Sequence, residues 1–201
     1  MSVKLARIIS IIFHPVLIPT LGTLLLLNSG FYFSMLSWEA KRFVLLVIFF
    51  TTSILPMLTV AVIALKPTYN ISMPESRDRV IPLLLSSVYF YIGFQLLNKM
   101  HAFPAFRLFM AASVLVIIGL LLISFKWKIS VHMAAIGSLS GILFALSFRN
   151  GMNPLWPIII VVLVSGIVGT ARLALGKHNI WQIIAGYVLG LSVLYFVIYF
   201  S

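Results

Sequence analysis

The chain has 201 residues, 62% of them hydrophobic and 8% charged, with a mean hydropathy of +1.18. So much apolar surface excludes an ordinary water-soluble domain and makes lipid the solvent for most of the chain. Fourteen Lys and Arg against three Asp and Glu give a net charge of +11. No basic stretch is long enough for a nucleic-acid footprint, and the lack of cysteine excludes disulfides and thiolate metal sites.

Seven stretches, near 8–29, 43–65, 80–97, 108–125, 131–148, 154–171 and 179–200, suit a hydrocarbon core of roughly 30 Å. The expected architecture is all-α: a polytopic transmembrane helix bundle of about six to seven spans, a single integral-membrane domain over residues 1–201. The first stretch comes after Lys4 and Arg7, as a signal peptide's would. Its apolar run exceeds the usual length, however, and no small-residue cleavage pattern succeeds it. With His14, Pro15 and Pro19 it reads as a retained, kinked membrane helix. Phe31, Tyr32 and Phe33 with Trp38, and later Trp127, Trp156 and Trp181, mark interfaces.

The loop before the third stretch runs from Lys66 to Arg79. Ser72 and Glu75 have capping-box spacing, and Pro74 fits a first helical turn. Arg77 and Arg79 then begin a helix, where two guanidiniums either fork onto phosphate oxygens or pair locally with Glu75 and Asp78. The next polar loop is Lys126-Trp-Lys-Ile-Ser-Val-His132. Ser130 and His132 open a helix whose free N–H groups favour an anion. His132 either protonates a leaving oxygen or is a plain interfacial residue.

Gly137 with Gly141, and Gly186 with Gly190, repeat the small-residue spacing that lets helices approach closely in lipid. Asn150-Gly151-Met152-Asn153-Pro154 is a tight turn. In Ala171-Arg172-Leu-Ala-Leu-Gly-Lys-His178-Asn-Ile-Trp-Gln182, Gly176 can end one helix before the next begins. His178 and Gln182, four apart, share a helix face. Gln182 can accept a hydrogen bond from one ring nitrogen and leave the other free to attack phosphorus, with Arg172 neutralising the target. The alternative is a helix-start His beside an unrelated Gln. His14 and His101 lack such company and are assigned to structure or loops; with only three carboxylates, no metal site is expected.

Counting crossings puts the loops at 66–79, 126–131 and 172–178 on one face. That face carries nine of the fourteen Lys and Arg residues. Setting aside Arg77, Arg79, Lys126 and Arg172 leaves five against five, so charge does not decide the side. The expected location is a bacterial cytoplasmic (inner) membrane.

At these residues the chain resembles the type 2 phosphatidic acid phosphatase superfamily, membrane phosphatases related to vanadium haloperoxidases. Ser130-Val131-His132 is similar to the family's Pro-Ser-Gly-His motif. Arg172-x5-His178-x3-Gln182 is similar to its Ser-Arg-x5-His-x3-Asp motif, and Ala185 to Gly190 is similar to the family's continuation of that motif. Lys66, Arg77, Arg79 and Pro82 stand where a Lys-to-Arg-Pro motif is expected, without its spacing. The resemblance spans roughly residues 60–190.

It implies hydrolysis, without metal or other cofactor, of a lipid phosphate or an isoprenoid (di)phosphate drawn from the membrane. His178 would be the nucleophile, His132 the general acid, and Gln182 the residue orienting His178. Arg172, Ser130, Arg77, Arg79, Lys126 and Lys66 would hold phosphoryl oxygens. Gln182 in place of Asp, and Val131 in place of Gly, depart from the family pattern. They keep open a catalytically impaired descendant that binds phosphorylated lipid as sensor, scaffold or flippase-like protein. An anion-selective transporter or channel fits less well, lacking paired repeats and mid-membrane charges. Oligomeric state is not legible.

Overall fold

Runs of Leu, Ile, Val and Phe become helices in lipid because each backbone N–H and C=O must find its partner inside the same segment. The structure, a computed structural model, describes residues 1–65, 77–99 and 104–201, apart from the side chains of Tyr32, Ser34 and Arg77. The helices are α1 Val3–Ile12, α2 Ile18–Leu27, α3 Trp38–Ile63, α4 Val80–Asn98, α5 Pro104–Ser124, α6 Val131–Asn150, α7 Leu155–Ala174 and α8 Ile180–Tyr199. Short 3₁₀ turns occupy Tyr32–Met35 and Arg77–Arg79, and all regular structure among the described residues is helical. The six helices α3 to α8 are long and apolar enough to cross a membrane, which fits an integral multi-pass membrane protein.

The first of the seven expected spans is not a kinked helix but two helices of ten residues each. At about 1.5 Å per residue, neither reaches across a hydrocarbon core. The break lies at His14–Leu17, where Pro15 has no N–H to continue the ladder. Residues 77–79 and the loops at 126–131 and 172–178 still share one end of the bundle, because removing an initial crossing shifts every later loop together.

A second correction concerns Phe31 and Phe33, expected at an interface. Both are buried, and the Phe33 ring packs 4.8 Å from that of Phe106 at the start of α5. Trp38, Trp156 and Trp181, each at a helix start, are exposed as interfacial anchors should be.

The core is organised around α6, two-thirds of whose apolar window is enclosed. It lies along α8 with backbones in direct contact, through the four glycines at G-x-x-x-G spacing. A Cβ on Gly137 or Gly141 would overlap the carbonyls of Tyr187 or Leu191, and one on Gly186 or Gly190 those of Ser130 or Ala134. Tyr187 Oη also donates to Ser140 Oγ at 3.0 Å. Around this pair, α7 flanks α6 and carries α1 on its outside, α2 sits between α3 and α6, and the α4–α5 pair closes on α8 through α5. Within α3 the ladder widens to a π-helical turn at Phe50–Ile54, just ahead of Pro56. A π-bulge of this kind is a frequent companion of functional sites.

Candidate functional site

Helix α7 ends where Gly176 takes a left-handed φ of +61°. There the Gly176 N–H bonds the Leu173 carbonyl at 2.9 Å and the Lys177 N–H bonds that of Arg172 at 3.2 Å. This closure turns the chain into the short link that carries His178, two residues ahead of α8. Asn179 caps α8: the Gln182 N–H donates to Asn179 Oδ1 at 2.9 Å, and the Asn179 N–H donates to Gln182 Oε1 at 3.3 Å. This is a capping box with Gln in the return position.

The same Gln182 Oε1 lies 3.0 Å from His178 Nδ1, and the Lys128 carbonyl oxygen lies 3.2 Å from that nitrogen. Both oxygens only accept, so Nδ1 carries the hydrogen and Nε2 keeps a free lone pair. The Asn179 N–H fixes which end of the Gln182 amide faces the ring, because a backbone donor requires an oxygen there.

His132 is the second residue of α6. Its Nε2 is 3.3 Å from the Ser10 carbonyl near the end of α1, which makes Nε2 the protonated nitrogen. Arg172 Nη1 donates to Ser10 Oγ at 3.4 Å, and Arg79 Nη1 to the Ile129 carbonyl at 3.2 Å. The Ser130 N–H bonds the Gln182 carbonyl at 3.2 Å, locking the start of α6 to that of α8. Ser130 Oγ and Arg172 Nε are buried without a hydrogen-bond partner among the described residues. An unmet polar atom in a low-dielectric interior is costly, so such sites are exceptions that call for a cause.

Arg79, Arg172, His14, His132 and His178 line one cavity of about 340 Å³. Away from these groups its wall is mostly apolar, with Val60, Phe90, Phe109 and Leu139 among the lining residues. Burial pushes the His178 imidazole down to about 4. The hydrogen bond to Gln182 opposes that shift, and the positive charges of Arg172 and Arg79 add to it. His178 is therefore neutral at pH 7, with Nε2 able to act as a nucleophile. Burial also lowers Lys128, helped by Arg79, Lys177 and Arg172 and opposed by Asp78. Cations crowded closely enough to depress one another are poised to gain from an anion placed among them.

The structure thus brings together His132, His178, Gln182, Arg172, Ser130 and Arg79 from the sequence expectations. Asp78 does influence Arg79, raising its pKa against the lowering by burial, while the guanidinium still reaches the cavity. Lys126 is not brought in: it is exposed and absent from the cavity wall, whereas Lys128, also outside that wall, feels the charges of Arg79 and Arg172. Lys66, with Ser72, Pro74, Glu75 and His101, lies outside the described residues, as does the side chain of Arg77. His14, assigned to structure or loops, instead lines the cavity with its ring centroid 5.6 Å from that of His132. The available signal was an ionisable ring beside a helix-breaking Pro inside an apolar stretch. No group of three or more His, Asp or Glu among the described residues is arranged to hold a metal ion. Comparison with known protein families, with curated proteins and with solved structures returns no match.

Proposed function

We propose that this protein is a membrane phosphatase that hydrolyses a lipid phosphate or isoprenoid (di)phosphate through a phosphohistidine, without metal. On this proposal it is a divergent relative of the type 2 phosphatidic acid phosphatases, seated in a bacterial inner membrane. The observation that carries it is a neutral imidazole, His178, with Nδ1 tied to two acceptors and Nε2 without a partner among the described residues, beside two arginines at a cavity whose remaining wall is mostly apolar. Phosphate suits the cationic end; a hydrocarbon chain suits the rest.

In the first step the Nε2 lone pair of His178 attacks phosphorus. The bond to the leaving oxygen breaks, and its electron pair stays on that oxygen, which takes a proton from an imidazole on the far side, the place that the motif gives to His132. In the second step the same imidazole, now neutral, removes a proton from water, the hydroxyl adds to phosphorus, and the N–P bond returns its electrons to His178. Arg172 and Arg79 stabilise the equatorial oxygens throughout, the main protein contribution in a loose phosphoryl-transfer transition state.

The test is phosphate release by the purified full chain from long-chain alkyl, diacylglycerol and isoprenoid phosphates in metal-free buffer. Release should occur with at least one of them and fall to background in His178→Ala. No release from any of them would overturn the proposal.

A second reading is favoured by one observation: Gln182, a neutral amide, holds His178 where a carboxylate would stabilise a cationic intermediate. A protein that binds phosphorylated lipid without turning it over is the consequence. It requires saturable binding that survives His178→Asn, with no phosphate released by the wild type.

A further inference from the structure

Among the described residues, three imidazoles line the cavity wall and two of them are anchored. His178 is held through Nδ1 by Gln182 and Lys128, and His132 through Nε2 by the Ser10 carbonyl. The His14 side chain makes no hydrogen bond among the described residues, and it is exposed while lining the cavity. Its ring meets that of His132 edge-on, with planes 76° apart.

The backbone there is tethered from α3. Pro15 breaks the ladder between α1 and α2, and Ser53 Oγ, from the π-helical turn of α3, donates to the Val16 carbonyl at 2.7 Å. Thr20 Oγ1 and Ser53 Oγ lie 3.2 Å apart. Ser53 of α3, itself in contact with Thr20 of α2, therefore tethers the segment that carries His14, yet no described residue bonds its ring nitrogens. A ring held by its backbone with both nitrogens open is what a proton donor to a bound ligand requires.

Resting on the phosphatase proposal, we infer that His14 is the catalytic residue that protonates the leaving oxygen and later deprotonates the attacking water, with His132 positioning it. In the first step the proton on the His14 ring passes to the oxygen that departs with the P–O electron pair. In the second, the ring recovers a proton from water. His132, fixed by Ser10, presents its ring against that of His14 and limits its orientation.

Leaving-group chemistry separates this role from a structural one. An alkoxide cannot depart without a proton, whereas a nitrophenolate can. The experiment measures kcat/KM of the full chain in detergent on a long-chain alkyl phosphate and on p-nitrophenyl phosphate, for wild type, His14→Asn, His132→Asn and His178→Ala. His14→Asn should lose about 10²- to 10⁴-fold on the alkyl substrate and less than about 5-fold on the aryl one. His178→Ala should lose both. His14→Ala should regain alkyl phosphate turnover with added imidazole, a rescue that misfolding would not permit.

Equal losses on the two substrates, an unchanged alkyl rate, or a leaving-group-selective loss in His132→Asn alone would overturn the inference while leaving a phosphatase standing. A wild type inactive on both substrates and on all the lipid phosphates would remove phosphatase and proton donor together.

Discussion

The two walls of the cavity are made in opposite ways. On one, α6 and α8 meet glycine to carbonyl, and Ser130, His132, His178 and Gln182 sit where two helix starts are fastened to each other by backbone contact. On the other, α1, α2 and α3 are interrupted by Pro15 and by a π-helical turn, and a single hydroxyl meets a carbonyl so exposed. The first wall has no slack, since a backbone has no rotamers to adjust. The second is held by contacts each worth about 1 kcal/mol, and so can yield to ligands of different width. Precision is concentrated where a nucleophile would need it, and compliance where a chain would lie.

The largest effect should come from breaking the rigid wall. Gly190→Leu drives a side chain into the Ala134 carbonyl, and overpacking against backbone should cost at least about 1–3 kcal/mol. The expected outcome is loss of the monodisperse, cooperatively melting species on size exclusion and thermal scanning in detergent, whereas the same substitution at Gly166, which has open space, should leave the melt nearly unchanged. Next, Arg172→Ala should lower kcat/KM for a lipid phosphate by about 10²-fold or more, the range seen when one oxyanion donor is removed. Arg172→Lys should recover only part of it, because an ammonium lacks the planar fork.

A pH profile then sharpens the role of Gln182. His178 is depressed to about 4, so the acid limb of wild-type kcat/KM, set by protonation of the nucleophile, should lie near that value. Gln182→Asp puts a negative charge beside the ring and favours its cationic form, so the acid limb should move to higher pH. The same depression makes a stability prediction. The neutral folded ring contributes stability in full above the unfolded value of 6.5, and that contribution drains away as pH falls toward 4. The smallest effect belongs to the compliant wall: Ser53→Ala, which leaves the Val16 carbonyl unmet, should lower stability by about 1 kcal/mol. A larger loss of activity than of stability there would show that the wall sets the position of His14.

Hydropathy gave the six long helices to within a few residues, because membrane thickness dictates length and composition together. Glycine spacing announced the α6–α8 contact, and crossing parity announced the meeting of the Arg79, Lys128 and His178 loops, since both depend on sequence order alone. The first apolar stretch misled because a hydropathy average passes over Pro15, whose missing N–H is a local event. Phe31 and Phe33 were misplaced because an aromatic at a span's end can turn inward as readily as outward. His14 and Lys128 were missed for a shared reason. Each gains its significance from groups far along the chain (His132 for one, Arg79 and Arg172 for the other), and neither spacing nor composition encodes that meeting.

Ser10 reaches both His132 and Arg172, and it belongs to a ten-residue helix too short to cross the bilayer. Helix α1 is therefore part of the cavity's support although it is too short to cross. A polypeptide lacking α1 and α2 would keep the six long helices, yet His132 Nε2 and Arg172 Nη1 would both lose their partner on Ser10.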